Sequence, residues 1–592
     1  MSNLRVSAAV VAVALFAPPE VAAQEGRALR APLDILDPAI RRELRAGAAV
    51  KTPDAKLAPK AAARQMARPV RAIAALPGSE TDVVQVGQLG VLEDSPVGLE
   101  DGYGADAWGG ARRAYVVPLM ARLPKRIRLA ALRDMEIRLH KSRTAAPAGA
   151  VDATSWFAAR LTRLLDLGAG EAALRLAALT GATRSDAYAA RAVAETHLAR
   201  GANNAACAVP HPRRSTRGRR GTRAFFLELK TYCHLAKGRL EEAALALELN
   251  ETALGRVPLF RDMAFALAAS APFDDKLVLP AQLSIMQYAM VRLAADAPAY
   301  EAAALPLSVA ASAAQVADAP PLRRVRLGLR AVEAGTLTAP EFLALVQTLD
   351  LADDEAESPP PEIALALALR RLQVTPPAEV AALLPAALRH AAAADMWAAG
   401  VRIVAPYLHA LYDVSEEEIS EDEVSEDDAP PPPDARMAAA RAYLQLPVPE
   451  TSELAWVAQI RTPSAGLLVS AEAGLPAVDA PPVDVFNDDG AVAVWHGLGY
   501  DVGNDVRRRA GLDAEATAAH KRLEKLATEG WRGDLILALV SQYGARPPAA
   551  LAPADIAAML TALRTAGLEA EARALASEIL ILRHAARGGA DG

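Results

Sequence analysis

The chain has 592 residues, of which 52% are hydrophobic and only 4% aromatic, and its formal net charge is −7. So mild a charge on so long a chain argues against a general nucleic-acid binder. Alanine supplies much of the apolar share. Because alanine is the best helix former, the composition predicts an all-α fold with small side chains between helices. The richness in alanine and arginine is typical of proteins from high-GC bacteria.

The N-terminus predicts a secretory signal peptide at residues 1–23. Arg5 supplies the positive charge, residues 6–16 form an apolar stretch too short to span a bilayer, and small residues precede a cleavage site after Ala23. We therefore expect a periplasmic or secreted mature protein. An uncleaved membrane anchor is the alternative interpretation of the same residues.

Residues 24–117 contain scattered proline, glycine and alanine, and we expect this region to be weakly ordered apart from a short helix at 35–46. The basic run at 118–141 has apolar residues at helical spacing, which predicts one amphipathic helix with its charged face in solvent. A basic face that binds a partner is the alternative. The basic residues are Arg122, Lys125, Arg126, Arg128, Arg133 and Arg138.

Glycines follow apolar runs of about three helical turns at regular spacing. The first three are Gly168, Gly201 and Gly238, separated by 33 and 37 residues. An alanine stands five positions after each glycine, at Ala173, Ala206 and Ala243. Because glycine accepts the positive φ that often ends a helix, the pattern predicts a helix, a tight turn and a second helix. The alanines are expected where the paired helices cross.

Residues 235–243 read Leu-Ala-Lys-Gly-Arg-Leu-Glu-Glu-Ala, which resembles the inter-helix turn of the tetratricopeptide repeat (TPR) family. Gly567 and Ala572 belong to a similar turn near the C-terminus. The TPR period of ~34 residues matches the glycine spacing, and the resemblance covers residues 155–255. It implies a solenoid of helical hairpins with a concave surface for peptide or protein partners. The tryptophan and proline positions of the TPR signature are mostly missing, which indicates a divergent array.

Cys207 and Cys233 are the two cysteines of the chain. In an oxidising compartment they predict one disulfide, which joins neighbouring hairpins and contributes roughly 3 kcal/mol in the chain-entropy model. Free thiols, or a zinc site with His211 and His234, are the alternatives.

Two charged stretches of opposite sign interrupt the helical pattern. An insertion at 210–223 carries the arginines Arg213, Arg214, Arg217, Arg219, Arg220 and Arg223. Residues 413–428 contain ten acidic residues and no basic one, and four prolines follow, so 412–435 is predicted to be a disordered linker. The two stretches are interpreted as independent solvated segments. Docking of one on the other, or binding of the arginine loop to an anionic partner such as a membrane surface, are alternatives.

Amphipathic helices are predicted through the rest of two helical units, 118–411 and 436–592. Pro306 and Pro385 fall inside two of these helices and predict a kink or a break. A loop is predicted at 492–503. The predicted helices cover 283–294, 298–316, 321–334, 339–349, 361–372, 378–393, 514–528, 535–543, 553–566 and 569–586.

The sequence shows no nucleophile elbow, zinc-protease motif, phosphate-binding loop or EF-hand loop. We therefore predict no catalytic, cofactor or metal site, and we expect a non-catalytic scaffold for protein partners in the cell envelope. A structural envelope component without a ligand and a cell-wall-associated enzyme of unrecognised type are the alternatives. An exported lytic transglycosylase is disfavoured because no Glu-Ser-like catalytic motif occurs in 437–592.

Overall fold

A computed structural model describes residues 96–149, 155–181, 183, 186–210, 220–254, 257–273, 277–294, 300–317, 319–351, 359–418, 435–446, 452, 454–461 and 487–587. All of them belong to one compact unit, Val86–Gly592. This part of the chain contains 25 α-helices and no strand, so the predicted all-α class is confirmed. The predicted helix at 35–46 lies outside the described residues.

The helices are short and follow one another closely, and those predicted between 283 and 586 are present with ends within four residues, except at 298–316. In chain order they are α1 Arg113–Met120, α2 Ala130–Lys141, α3 Trp156–Asp166, α4 Gly170–Thr180, α5 Ala187–Ala199, α6 Asn203–Ala208, α7 Arg220–Ala236, α8 Leu240–Leu249, α9 Glu251–Leu254, α10 Pro258–Ala268, α11 Ile285–Val291, α12 Leu307–Ala314, α13 Pro321–Glu333, α14 Ala339–Gln347, α15 Pro361–Val374, α16 Pro377–Ala393, α17 Trp397–Glu418, α18 Ala435–Tyr443, α19 Ala455–Arg461, α20 Asp489–Gly497, α21 Asn504–Arg509, α22 Ala518–Thr528, α23 Arg532–Tyr543, α24 Pro553–Thr565 and α25 Glu569–Arg587.

One turn geometry joins the helices of each pair. Its four predicted glycines have positive φ: Gly168 at 82°, Gly201 at 72°, Gly238 at 70° and Gly567 at 72°. In each case the amide after the glycine donates to a carbonyl five residues earlier, the bond that closes a Schellman motif. The alanines five positions on are almost completely buried, at Ala173, Ala206, Ala243 and Ala572.

The same turn also occurs where the chain has no glycine. Asp395 and Gln445 take positive φ, 55° and 64°, and the amide after each again donates to a carbonyl five residues earlier. Such a φ crowds the Cβ of an L-residue against the following carbonyl. These turns carry backbone strain that the glycine turns avoid.

The first described residues pack against the last helices of the chain. Tyr103, Trp108 and Leu132 are buried in one hydrophobic cluster with Trp495 and Ile579. Residues 96–117, part of the stretch for which the sequence predicted weak order, therefore contribute to a core. That core also joins helix α2 to helices α23 and α25.

A carboxylate adds a polar link to this packing. Glu578 on α25 is buried, and its two oxygens accept hydrogen bonds from the backbone N–H groups of Ala130 and Ala131, each at 2.7 Å. These amides belong to the first turn of α2, which has no partner for them within the helix. Burial raises the pKa of Glu578 to about 7, although the two N–H groups oppose the rise.

The basic run at 118–141 forms two helices, α1 and α2, separated by residues 121–129. Pro124 lies in this break, and proline disfavours helical backbone at the residue before it. The prediction of one helix with a purely solvated charged face is therefore wrong. Most basic side chains of this run form ion pairs with residues elsewhere in the chain. The ion pairs are Lys125–Asp166, Arg126–Glu333, Arg128–Asp395 and Arg138–Glu571.

Residues 492–495, predicted in a loop, lie in helix α20. The Asp488 side chain caps this helix by accepting from the backbone N–H of Gly490 at 2.9 Å. All four residues at 492–495 are fully buried. A helix that is enclosed on every side has no polar stripe, so the sequence carries no helical period to detect.

The two prolines named in the sequence behave differently. Pro306 precedes α12 as its N-cap, so the predicted break is present there. Pro385 lies inside α16, which continues through it. The flanking Leu384 and Leu388 are fully buried, and their packing offsets the lost backbone hydrogen bond.

Candidate functional site

The cysteines lie where helix α6 is joined to helix α7. Cys207 and Cys233 form the predicted disulfide, with their Cα atoms 5.8 Å apart. Because the two sulfurs are bonded to each other, neither is a zinc ligand. His234 follows on α7, and His211 lies outside the described residues.

The charged stretches are described only at their edges. Arg213, Arg214, Arg217 and Arg219 lie outside the described residues, whereas Arg220 begins α7 and Arg223 is exposed on it. At the other stretch, helix α17 continues to residue 418, and residues 419–434 are outside the described part. Docking of one stretch on the other stays a prediction.

Helices α3 and α5 begin the first two predicted hairpins, and later helices cover one side of them. Helices α11 and α12 pack on α5, and the Ser312 hydroxyl donates to the Ala199 carbonyl at 2.7 Å. A Cβ added at Gly168 would lie 3.0 Å from Thr336, just after α13. The chain itself thus occupies surface that an open repeat array would offer to a partner.

A half-open cavity of about 700 Å³ remains between α5, α7 and the segment that leads into α11. One wall is apolar, with buried Phe225, Phe260 and Met286 beside Val257. The polar side chains of the lining come from four helices and from a helix cap. They are Arg191, Glu195, Arg223, Glu228, Thr252, Ser284 and Gln287.

Several polar groups of this lining already have partners inside the protein. The Arg191 guanidinium lies 4.9 Å from the centre of the Phe225 ring and donates twice to Glu195, at 2.9 and 3.0 Å. Ser284 and Gln287 bond reciprocally as the capping box of α11. These groups shape the cavity and leave few of its charges uncompensated.

Two charged groups of the lining have no such partner: the exposed Arg223 and, more deeply placed, Glu228. Glu228 is half-buried in the cavity wall, and no hydrogen bond or ion pair to it exists within the described residues. Burial raises the pKa of its carboxyl group, Arg191 opposes the rise, and Glu195 adds to it. A carboxylate without a partner beside apolar side chains favours a cation that brings its own apolar stem.

Arg191 and Glu228 belong to no recognised motif, but their spacing from the turn glycines relates them to each other. Both stand ten positions before a turn glycine, Gly201 and Gly238, within the first helix of a pair. Equivalent positions in stacked hairpins face the same surface. Arg191 and Glu228 therefore occupy one register of two consecutive hairpins, and both line the cavity.

A second group of charged residues is closed off from solvent and has a structural role. Arg160 is fully buried and donates four hydrogen bonds to the carbonyls of Val97, His140 and Ser142, at 2.6–3.0 Å. Burial lowers the pKa of Arg160 to about 9, which still leaves the guanidinium charged at neutral pH. Through these hydrogen bonds, Arg160 of α3 holds the segments that precede and follow α2.

Arg163, one turn further along α3, pairs with Glu136 of α2. Burial raises the pKa of Glu136, but hydrogen bonds from Arg163 and His140 outweigh it and lower the pKa below its usual value. Burial also lowers the pKa of His140. The cluster is thus a buried arginine–carboxylate pair beside a histidine, and it joins two helices.

His520, Tyr543 and Arg546 converge on Asp555. The ring Nε2 of His520 lies 2.9 Å from one carboxylate oxygen, which also accepts from the Tyr543 hydroxyl at 3.1 Å, and Arg546 donates to the other oxygen at 3.2 Å. Because both oxygens already have donors, Asp555 is not a free base. The group connects helices α22, α23 and α24.

Within the described ranges, no helix is both long and apolar enough to cross a membrane. The same residues hold no group of three or more His, Cys, Asp or Glu side chains arranged to bind a metal ion. In comparisons with known proteins, no family model, no curated protein and no solved structure matches the chain.

Proposed function

We propose that the chain is an exported, non-catalytic binding protein of the cell envelope, with a divergent TPR-like array at 155–255 and a protein partner. The signal-like residues 1–23 and the disulfide between Cys207 and Cys233 support an oxidising compartment. The shared turns at Gly168, Gly201 and Gly238 support the repeat. The division into units 118–411 and 436–592 stays an expectation from the sequence.

The observation that carries the proposal is the cavity with unpartnered Glu228 on its wall. A lysine or arginine side chain of a partner fits this chemistry. Its methylene groups would lie on Phe225, Phe260 and Met286, and its charged end would bond the Glu228 carboxylate. The binding surface proposed is therefore this cavity.

Two short peptides of opposite charge test the cavity directly. Titration calorimetry on the full mature chain would compare acetyl-Leu-Lys-Leu-amide with acetyl-Leu-Glu-Leu-amide. We expect the lysine peptide to bind more tightly, and Glu228→Gln to weaken it about tenfold, because a partly desolvated charge-assisted bond is lost. Glu248→Gln, an exposed acid on α8 outside the cavity, is the matched control. Equal binding of both peptides would refute the proposal.

A photo-crosslinking residue placed at Ala253, on the cavity lining, would identify the partner in the periplasm. The control site is Val374, which is 82% exposed on α15 and far along the chain from the cavity. The proposal expects an adduct from position 253 that Glu228→Gln removes. A structural component without a ligand would give the same background at both positions. Export itself is tested by mass spectrometry, which is expected to find a mature N-terminus at Gln24.

A further inference from the structure

A second cavity, of about 330 Å³, lies beside the disulfide. Its apolar floor is formed by Phe226 and Leu229 of α7, both buried, and the cysteines Cys207 and Cys233 close one side. The charged or ionisable side chains of its lining are Arg223, Lys230, His234, Lys237 and Arg239. None of the described residues of this lining is acidic.

No ion pair neutralises the cations around this cavity within the described residues. Arg223, Lys230, Lys237 and Arg239 are exposed, and none of them makes an ion pair within the described part of the chain. Arginines elsewhere in the protein repeatedly pair with acids, as the links of the 118–141 run show. Convergent unpaired cations around an apolar floor raise the local concentration of anions.

His234 reports this potential, because it lies among the cations. Burial and then the charges of Lys230, Arg239 and Lys237 lower its pKa, and Glu242 is the one nearby acid that opposes them. Helix α7 presents Arg223, Lys230 and His234 on one side, because spacings of seven and four residues return to the same helical face. Lys237 and Arg239 follow in the turn after the helix ends at Ala236. The cations therefore lie along one side of α7 and in the turn that follows it.

We infer that this cavity binds a phosphate group that carries an organic substituent, either a soluble phosphate monoester or a lipid headgroup. Four cations suit a phosphate, which has several acceptor oxygens and up to two charges. Phe226 and Leu229 offer the substituent an apolar surface. The site shares Arg223 with the first cavity, but Lys230, Lys237 and Arg239 line only this one, and Glu228 lines only the first.

The imidazole of His234 provides the readout, by NMR titration of the full mature chain. In 10 mM glycerol phosphate its pKa is expected to rise by about one unit relative to sodium chloride of equal ionic strength, because a bound anion favours the imidazolium. His390 is the matched control: it is also partly exposed and has its pKa lowered by burial and by a neighbouring arginine, but it lies outside the cavity. The double variant Lys230→Gln, Lys237→Gln is expected to lose the His234 response.

The response of His234, compared with that of His390, decides whether a phosphate binds in this cavity. A His234 shift that chloride reproduces, or that His390 shows equally, means ionic screening alone and overturns the inference. A shift confined to His234 and lost in the double variant supports it. Vesicles containing phosphatidylglycerol then separate the two sources: cosedimentation that the double variant loses indicates a lipid headgroup, and a phosphate response without cosedimentation indicates a soluble ester.

Discussion

Replacing Arg160 by methionine removes the donors for three backbone carbonyls, those of buried His140 and Ser142 and of partly buried Val97. Methionine fills a comparable volume, so the change leaves only a small cavity. Each buried acceptor without a partner costs ~1–3 kcal/mol, and relief from burying the guanidinium charge offsets part of the total. We expect the free energy of unfolding to fall by about 3–5 kcal/mol.

Urea unfolding followed by circular dichroism at the helical band measures this loss. Arg191→Met is the matched control, because Arg191 is also an arginine in the first helix of a predicted pair but is 40% exposed. Its ion pair with Glu195 is of the surface type, and its loss is expected to cost under ~1 kcal/mol. If the two variants unfold at the same urea concentration, the hydrogen bonds of Arg160 do not contribute the stability that we infer. Hydrogen exchange at the amides of Leu99 and Arg143, which bond across this junction, locates the damage.

Three further predictions concern stability. The double variant Cys207→Ser, Cys233→Ser is expected to lose about 3 kcal/mol of unfolding free energy, and an unchanged urea midpoint would contradict this. The pKa of Glu578 is raised from 4.5 to about 7 in the folded protein. Its protonated carboxyl group therefore stabilises the fold fully below pH 4.5, and this contribution is lost as the pH rises to 7. At 1.36 kcal/mol per pKa unit, the wild type is expected to lose about 3 kcal/mol over this range relative to Glu578→Gln, and parallel pH profiles would disprove it. Gln445→Gly, which relieves a φ of 64°, is expected to gain up to ~1 kcal/mol, whereas Gln315→Gly, at a φ of −84°, is expected to lose stability.

Features set by neighbours in the chain could be predicted from the sequence. The turns at Gly168, Gly201 and Gly238 depend on a few residues around a helix end, so spacing and residue type were sufficient. The disulfide followed from the small number of cysteines and from the expectation that consecutive hairpins touch. Helix ends near proline were also accessible, because proline acts on its own backbone.

The cavity with Glu228 could not be predicted in the same way. Its walls come from residues between 191 and 287, and only the packed chain shows which polar groups already have partners. The core between α2 and α25 likewise joins residues more than 400 positions apart, and no sequence period encodes such a contact. Helix α20 was missed for the opposite reason, since burial on every side removed the polar stripe that marks a helix.

The packing of α2 against α23 and α25 also determines when the chain can become compact. Leu132 and Met135 belong to a cluster that α23 and α25 complete, and these helices are absent while only the first several hundred residues have been synthesised. This core can therefore form only after the last helix has been synthesised. A chain truncated before residue 569 would expose hydrophobic surface to chaperones and proteases. Late closure of this kind is compatible with the export that we propose.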